Sequence, residues 1–96
     1  MNMKETQHLM DHNNDTMLAD GFESAIIGLD TSSETFRVIY DREKMIDVLI
    51  DRDEMSIEDA VEYLEYNVWN AYVGNGTPIY AYAGGQEQVL ELMSQL

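Results

Sequence analysis

Nineteen aspartates and glutamates, set against five lysines and arginines, are the side chains of this 96-residue chain with the most chemistry to offer. Their spacing gathers them. At about 100° of rotation per residue, Glu43, Asp47, Asp51 and Glu54 fall within roughly 80° of one another on a helix and form a continuous acidic stripe, softened by Lys44 and Arg42. A second helical stretch sets Glu58, Glu62, Glu65 and Trp69 side by side, with Asp59, Tyr63, Tyr66 and Asn70 farther round. In such a surface charge orients a basic partner and speeds its approach, while the aromatic rings supply contact energy. The candidate partner-binding residues are therefore Glu43, Asp47, Asp51, Glu54, Glu58, Glu62, Glu65, Tyr66 and Trp69. A purely structural role competes for Tyr63 and Tyr66, which would then cover a C-terminal helix.

Catalysis has requirements that the chain does not meet. Close carboxylate pairs arise by chance among nineteen acids, and general acid/base work needs one of the pair in an apolar pocket with a raised pKa. Both histidines, His8 and His12, lie in a polar N-terminal segment and there is no cysteine, so neither a Ser-His nor a Cys-His pair can be assembled. No enzyme activity and no cofactor are expected.

Three ligand patterns fail on their own terms. His8 and His12 would share a helix face with Asp11 and Asp15 near by, but the Glu that follows the first His of a zinc-protease helix is missing, and a solvated tail is the reading taken. Asp51, Asp53 and Glu62 match the first, third and twelfth positions of a calcium loop. Met55 and Ser56 then stand where an oxygen ligand and a sharply turning glycine belong. The stretch Gly74-Asn75-Gly76-Thr77-Pro78 is glycine-rich but follows a helix and leads into a strand, the reverse of a phosphate-binding loop.

The elements that must carry the acids are legible from patterning. Met1 to Asp20 is polar and weakly periodic and reads as a mobile arm of residues 1–20, ahead of one domain over residues 21–96. Ala25 to Leu29 and Phe36 to Tyr40 read as two strands joined by an Asp/Ser/Thr turn, the second with Phe36, Val38 and Tyr40 on one face. Gly28 reads first as a small residue under a packed aromatic, with a bulge as the alternative. Asp41 caps a helix from Arg42 to about Asp53, half buried through Met45, Ile46, Val48, Leu49 and Ile50. Ser56 opens a second helix with a capping box to Asp59, and Ile57, Val61, Leu64, Val68, Ala71 and Tyr72 give it a core stripe ending near Val73 and Gly74. Asn75 and Gly76 turn the chain with positive φ. Ile79 to Tyr82 is a third strand, and Gln86 to Leu96 a short amphipathic helix. The expected fold class is α+β: a small three-stranded antiparallel sheet in the order β-β-α-α-β-α, packed against two or three helices.

Charge narrows the function classes further. A formal net charge of −14 repels nucleic acid and anionic membrane and attracts basic protein surfaces. No apolar run is long enough for a membrane span and the first residues lack a signal-peptide pattern, so a cytoplasmic setting fits. The absence of cysteine agrees with that compartment.

The motifs Glu65-Tyr66-Asn67-Val68, Ala71-Tyr72-Val73-Gly74 and Thr77-Pro78-Ile79-Tyr80 make the region from Gly21 to Tyr82 resemble a group of small uncharacterised proteins of bacteriophage and bacterial genomes. The resemblance carries no activity. It implies a phage setting and a small protein acting on a host protein in the host cytoplasm. The leading expectation is a non-enzymatic protein that binds a basic surface of a host protein, in its sharpest form a nucleic-acid mimic or inhibitor of a nucleic-acid-binding protein. The alternative is an assembly protein forming a homo-oligomer through an aromatic sheet face, with Tyr80 and Tyr82, and the C-terminal helix.

Overall fold

The computed structural model describes residues 15–96. A 3₁₀ turn (Glu23–Ala25) leads into β1 (Ile26–Asp30) and β2 (Arg37–Asp41); α1 (Arg42–Asp53) and α2 (Ile57–Leu64) follow, and α2 runs straight into a π-turn (Glu65–Trp69). After a loop come β3 (Ile79–Ala81) and α3 (Gln86–Ser94). The architecture is α+β, as the patterning requires.

The sheet has the order β1-β2-β3 and is mixed, not wholly antiparallel as expected. β1 and β2 form the antiparallel hairpin, whereas β2 and β3 run parallel, with Tyr40 opposite Tyr80. The cause is the connection: two helices lie between these strands, and a helical crossover returns the chain to the same end of the sheet. The register of β1 on β2 slips between Ile26 and Gly28, so a bulge sits there. Gly28 faces the Ile39 side chain rather than an aromatic ring, which overturns the first reading of that glycine.

One face of β2 builds the core. Val38 and Tyr40 are buried beside Phe22, Ala25, Met45, Leu49, Ala60, Leu64 and Trp69. Tyr80 joins the same cluster, its ring 5.9 Å from that of Tyr40. The opposite sheet face at this point carries Ile39 and Ile79, which pair in the β2–β3 register, so Tyr80 does not contribute to an aromatic outer sheet face. α1 starts on Asp41, whose carboxylate accepts from the amides of Glu43 (2.9 Å) and Lys44 (3.3 Å). It stops at Glu54 in the left-handed conformation, φ 57°.

α2 departs most from expectation. Its regular turns end at Leu64, and the chain widens into the π-turn instead of continuing to Val73. Continued as an α-helix, the chain would carry Trp69 about 140° round from Leu64. The wider π-turn, with i→i+5 hydrogen bonds, rotates less per residue and brings Trp69 closer to the side of Leu64. Trp69 is therefore 8% exposed and belongs to the core, while Tyr72, expected in the core stripe, is 74% exposed. Ile57 and Ala71 of that stripe are exposed as well.

The last residues of the supposed arm are part of the domain. Met17 N–H donates to Gly76 O (3.1 Å), Thr16 Oγ1 to Phe36 O (2.8 Å), and Ala19 N–H to the Tyr40 hydroxyl (2.8 Å). The strap explains Gly76, since a Cβ there would overlap the carbonyl oxygen of Asp15. Under it, buried Thr77 ties the turn, its hydroxyl donating to Gly74 O and accepting from Val73 N. The positive φ of this turn falls on Gly74, at 126°, not on Asn75 or Gly76.

Candidate functional site

α1 presents two opposed faces. Met45 and Leu49 are fully buried, and at about 100° per residue the mean direction of Glu43, Asp47 and Asp51 is diametrically opposite. All three are exposed, and Glu54 continues the row just past the helix end. On α2 and the π-turn, Glu58, Glu62, Glu65 and Tyr66 are likewise exposed. Of the candidate residues, eight thus stand on the surface and Trp69 does not. The indole is held inside, its Nε1 donating to Met45 Sδ at 3.5 Å, so it belongs with the residues that make the fold.

Among the described residues the arginines are engaged away from the carboxylates of this surface. Arg37 Nε donates to Thr77 O (2.6 Å). Arg42 Nε donates to Tyr80 O (3.1 Å), with its guanidinium 4.4 Å from the Trp69 ring centroid and 5.4 Å from that of Tyr82. Arg52 binds Asp53 with both ends of its fork (3.1 and 3.0 Å), reaches Gly21 O and lies over Phe22. The Asp53 hydrogen bond raises the pKa of Arg52 and, reciprocally, lowers that of Asp53. Among the described residues, Glu43, Asp47, Asp51, Glu54, Glu58, Asp59, Glu62 and Glu65 form no ion pair.

Beside the acidic rows an open groove runs along the outer face of α2, lined by Met55, Asp59, Glu62, Tyr63, Tyr66 and Asn67. Asp59, Glu62 and Tyr63 follow the three-and-four spacing of one face of α2, and Tyr66 and Asn67 extend the groove from the π-turn. Tyr66 is 83% exposed and Tyr63 43%, and neither covers α3. Gln88, Val89 and Leu92 of α3 face Glu43, Tyr82 and Ala83 across an open cleft. Ser56 Oγ accepts from the Asp59 amide (3.1 Å), but the return bond of a capping box is not made, and the Asp59 carboxylate is left to line the groove. Asp59, Tyr63, Asn67 and Met55 were outside the candidate set. Their helical spacing was visible, but the length of the regular helix, which decides the facing side, was not.

Asp51 and Asp53 are in the last turn of α1 and Glu62 is in α2, so the calcium-loop positions lie on two helices rather than in a loop. Among the described residues no group of three or more His, Asp or Glu is placed to hold a metal ion. His8, His12 and Asp11 lie outside the described residues. Within the same limits, no helix is long and apolar enough to cross a membrane.

Compared with protein-family models, with curated proteins and with solved structures, the chain gives no match.

Proposed function

We propose that the protein is a non-enzymatic binding protein whose acidic outer surface on α1 and α2 engages a basic surface of another protein. The observation that carries this reading is the disposition of charge. Arginines that could neutralise the carboxylates bond to backbone carbonyls and stack on rings, leaving two helices with unpaired acids on their outer faces. Exposed ion pairs add about 0–1 kcal/mol each, so folding alone gives little reason to concentrate acids there. Unpaired rows of like charge instead raise the association rate with a partner of opposite charge. In the phage setting that the sequence motifs suggest, the partner is a nucleic-acid-binding host protein in the cytoplasm, and the carboxylate rows act as an inhibitor by standing in for phosphates.

The test is capture from bacterial lysate with the immobilised wild-type protein and with a variant carrying Glu43→Gln, Asp47→Asn, Asp51→Asn, Glu58→Gln and Glu62→Gln. A basic partner retained stoichiometrically by the wild type and lost by the variant is expected. Equal recovery on both, or none at low and moderate salt, would sink the reading.

A second reading rests on α3. Val89, Leu90 and Met93 are exposed and no residue of this nine-residue helix is buried, although helices below about 12 residues are marginal without tertiary packing. Self-association through this helix would cover it. Light scattering decides: a monomer that is unchanged by Met93→Glu excludes it.

A further inference from the structure

We propose that the groove on the outer face of α2 is an arginine receptor, which takes a single arginine side chain from a basic protein segment between the rings of Tyr63 and Tyr66 and the carboxylates of Asp59 and Glu62. This rests on the binding reading above and names the chemistry its partner must present.

Asp59, Glu62 and Tyr63 share one face of α2, with Asp59 one turn from Tyr63, and Tyr66 joins them from the π-turn, on the lining of the same groove. They line one concavity, with Met55 half-buried at one end and Asn67 at the other. Asn67 Nδ2 is committed to Tyr63 O at 3.0 Å, which fixes that end of the groove. Neither carboxylate accepts a side-chain hydrogen bond or ion pair, and neither tyrosine hydroxyl is bonded, among the described residues. Folding does not use Tyr66, which is 83% exposed.

Charge complementarity selects a cation, and shape selects which one. A guanidinium is planar: it stacks on an aromatic face while its edge offers paired N–H donors to a carboxylate, whereas an ammonium is a more strongly hydrated point charge. The chain uses the same packing internally, with Arg42 over Trp69 and Tyr82 and Arg52 over Phe22. Arg52 does not fill the groove, since its fork is held by Asp53 and the Gly21 carbonyl.

The experiment titrates the full chain with two short peptides of equal charge, one of arginines and one of lysines, followed by amide and aromatic NMR shifts at about 0.15 M salt, where exposed charges beyond about 8 Å are screened. The arginine peptide is expected to bind severalfold tighter and to move the Tyr63 and Tyr66 ring signals together with the amides from Asp59 to Asn67. Tyr66→Ala should weaken it about two- to fivefold and abolish the preference for arginine, while the folded spectrum stays otherwise intact. Equal binding of both peptides, with shifts spread along Glu43, Asp47 and Asp51, overturns the receptor and leaves the acidic-surface reading standing. No binding of either peptide at low salt overturns both.

Discussion

Trp69 Nε1 donates to Met45 Sδ across 3.5 Å in the interior, and the guanidinium of Arg42 covers the same ring at 4.4 Å. The indole thereby ties α1 to the end of the π-turn, and its loss should be a folding defect. Trp69→Ala should cost about 3–5 kcal/mol, as for other large buried aromatics. Met45→Leu, which keeps the volume but removes the acceptor, should cost about 1 kcal/mol. Urea unfolding measures both, followed by circular dichroism for the tryptophan variant. A Trp69→Ala protein as stable as wild type would return this residue to the surface.

Trp69 also shows where sequence reasoning stops. Both strands of the hairpin, the caps at Asp41 and Ser56, and α1 with its acidic outer face follow from local patterning, because each depends on residues within a few positions. The π-turn does not. Five-residue spacing from Leu64 to Trp69 is invisible to a 3.6-residue period, so the regular helix reads on past Leu64 toward Val73 and its far end faces the wrong way. Asn67 and Asn70 carry the missed signal: their side chains bond back to the carbonyls of Tyr63 and Glu65 and compete with the regular ladder. The strap at Thr16 to Ala19 escaped for another reason. Its partners, Phe36, Tyr40 and Gly76, are distant in sequence, and no local period announces them.

The strap can be measured through its bond to Tyr40. Tyr40→Phe leaves the Ala19 N–H without its acceptor and should cost about 1–2 kcal/mol. Removing residues 1–20 should destabilise the domain too, and in that background Tyr40→Phe should cost much less, because the donor has gone. A double-mutant cycle on urea midpoints reads the coupling, and strict additivity would show that the bond contributes nothing.

Tyrosine burial sets an alkaline limit. Desolvation raises the pKa of Tyr40, against the lowering effect of the Ala19 amide, and raises that of Tyr80, with Tyr40 beside it adding to the shift. Each folded pKa lies above the unfolded value near 10, so the unfolded chain releases these protons first. The stabilisation is whole below pH of about 10 and is lost as pH climbs through the folded values. Unfolding free energy should fall above that pH, with phenolate absorbance rising together with unfolding. In Tyr80→Phe, whose half-buried ring has no proton to lose, the fall should be shallower. An identical alkaline slope in that variant would exclude the mechanism.

Glu54 occupies the left-handed region at φ 57°. An L side chain pays about 1–2 kcal/mol there, and glycine, at a conformational entropy cost of about 0.5–1 kcal/mol, escapes the strain. Glu54→Gly should therefore leave stability unchanged or raise it by up to about 1 kcal/mol, as judged by thermal unfolding. A clear loss would mean that the Glu54 side chain holds the corner between α1 and α2.

Asp47 tests whether the acidic face of α1 serves the fold or the proposed binding. It stands one turn from Glu43 and one turn from Asp51, all exposed and, among the described residues, without ion pairs. Each like-charged pair at that spacing costs about 0.2–0.5 kcal/mol, and reversing the central charge converts both pairs to attraction. Asp47→Lys should stabilise the protein by about 1 kcal/mol at low salt, measured by urea unfolding. The gain should shrink in about 1 M NaCl, where the screening length is about 3 Å. The same substitution should weaken capture of a basic partner. Greater stability with weaker binding is the signature of a charge kept for recognition at the expense of the fold, and a destabilised Asp47→Lys would show that the acidic face supports the helix instead.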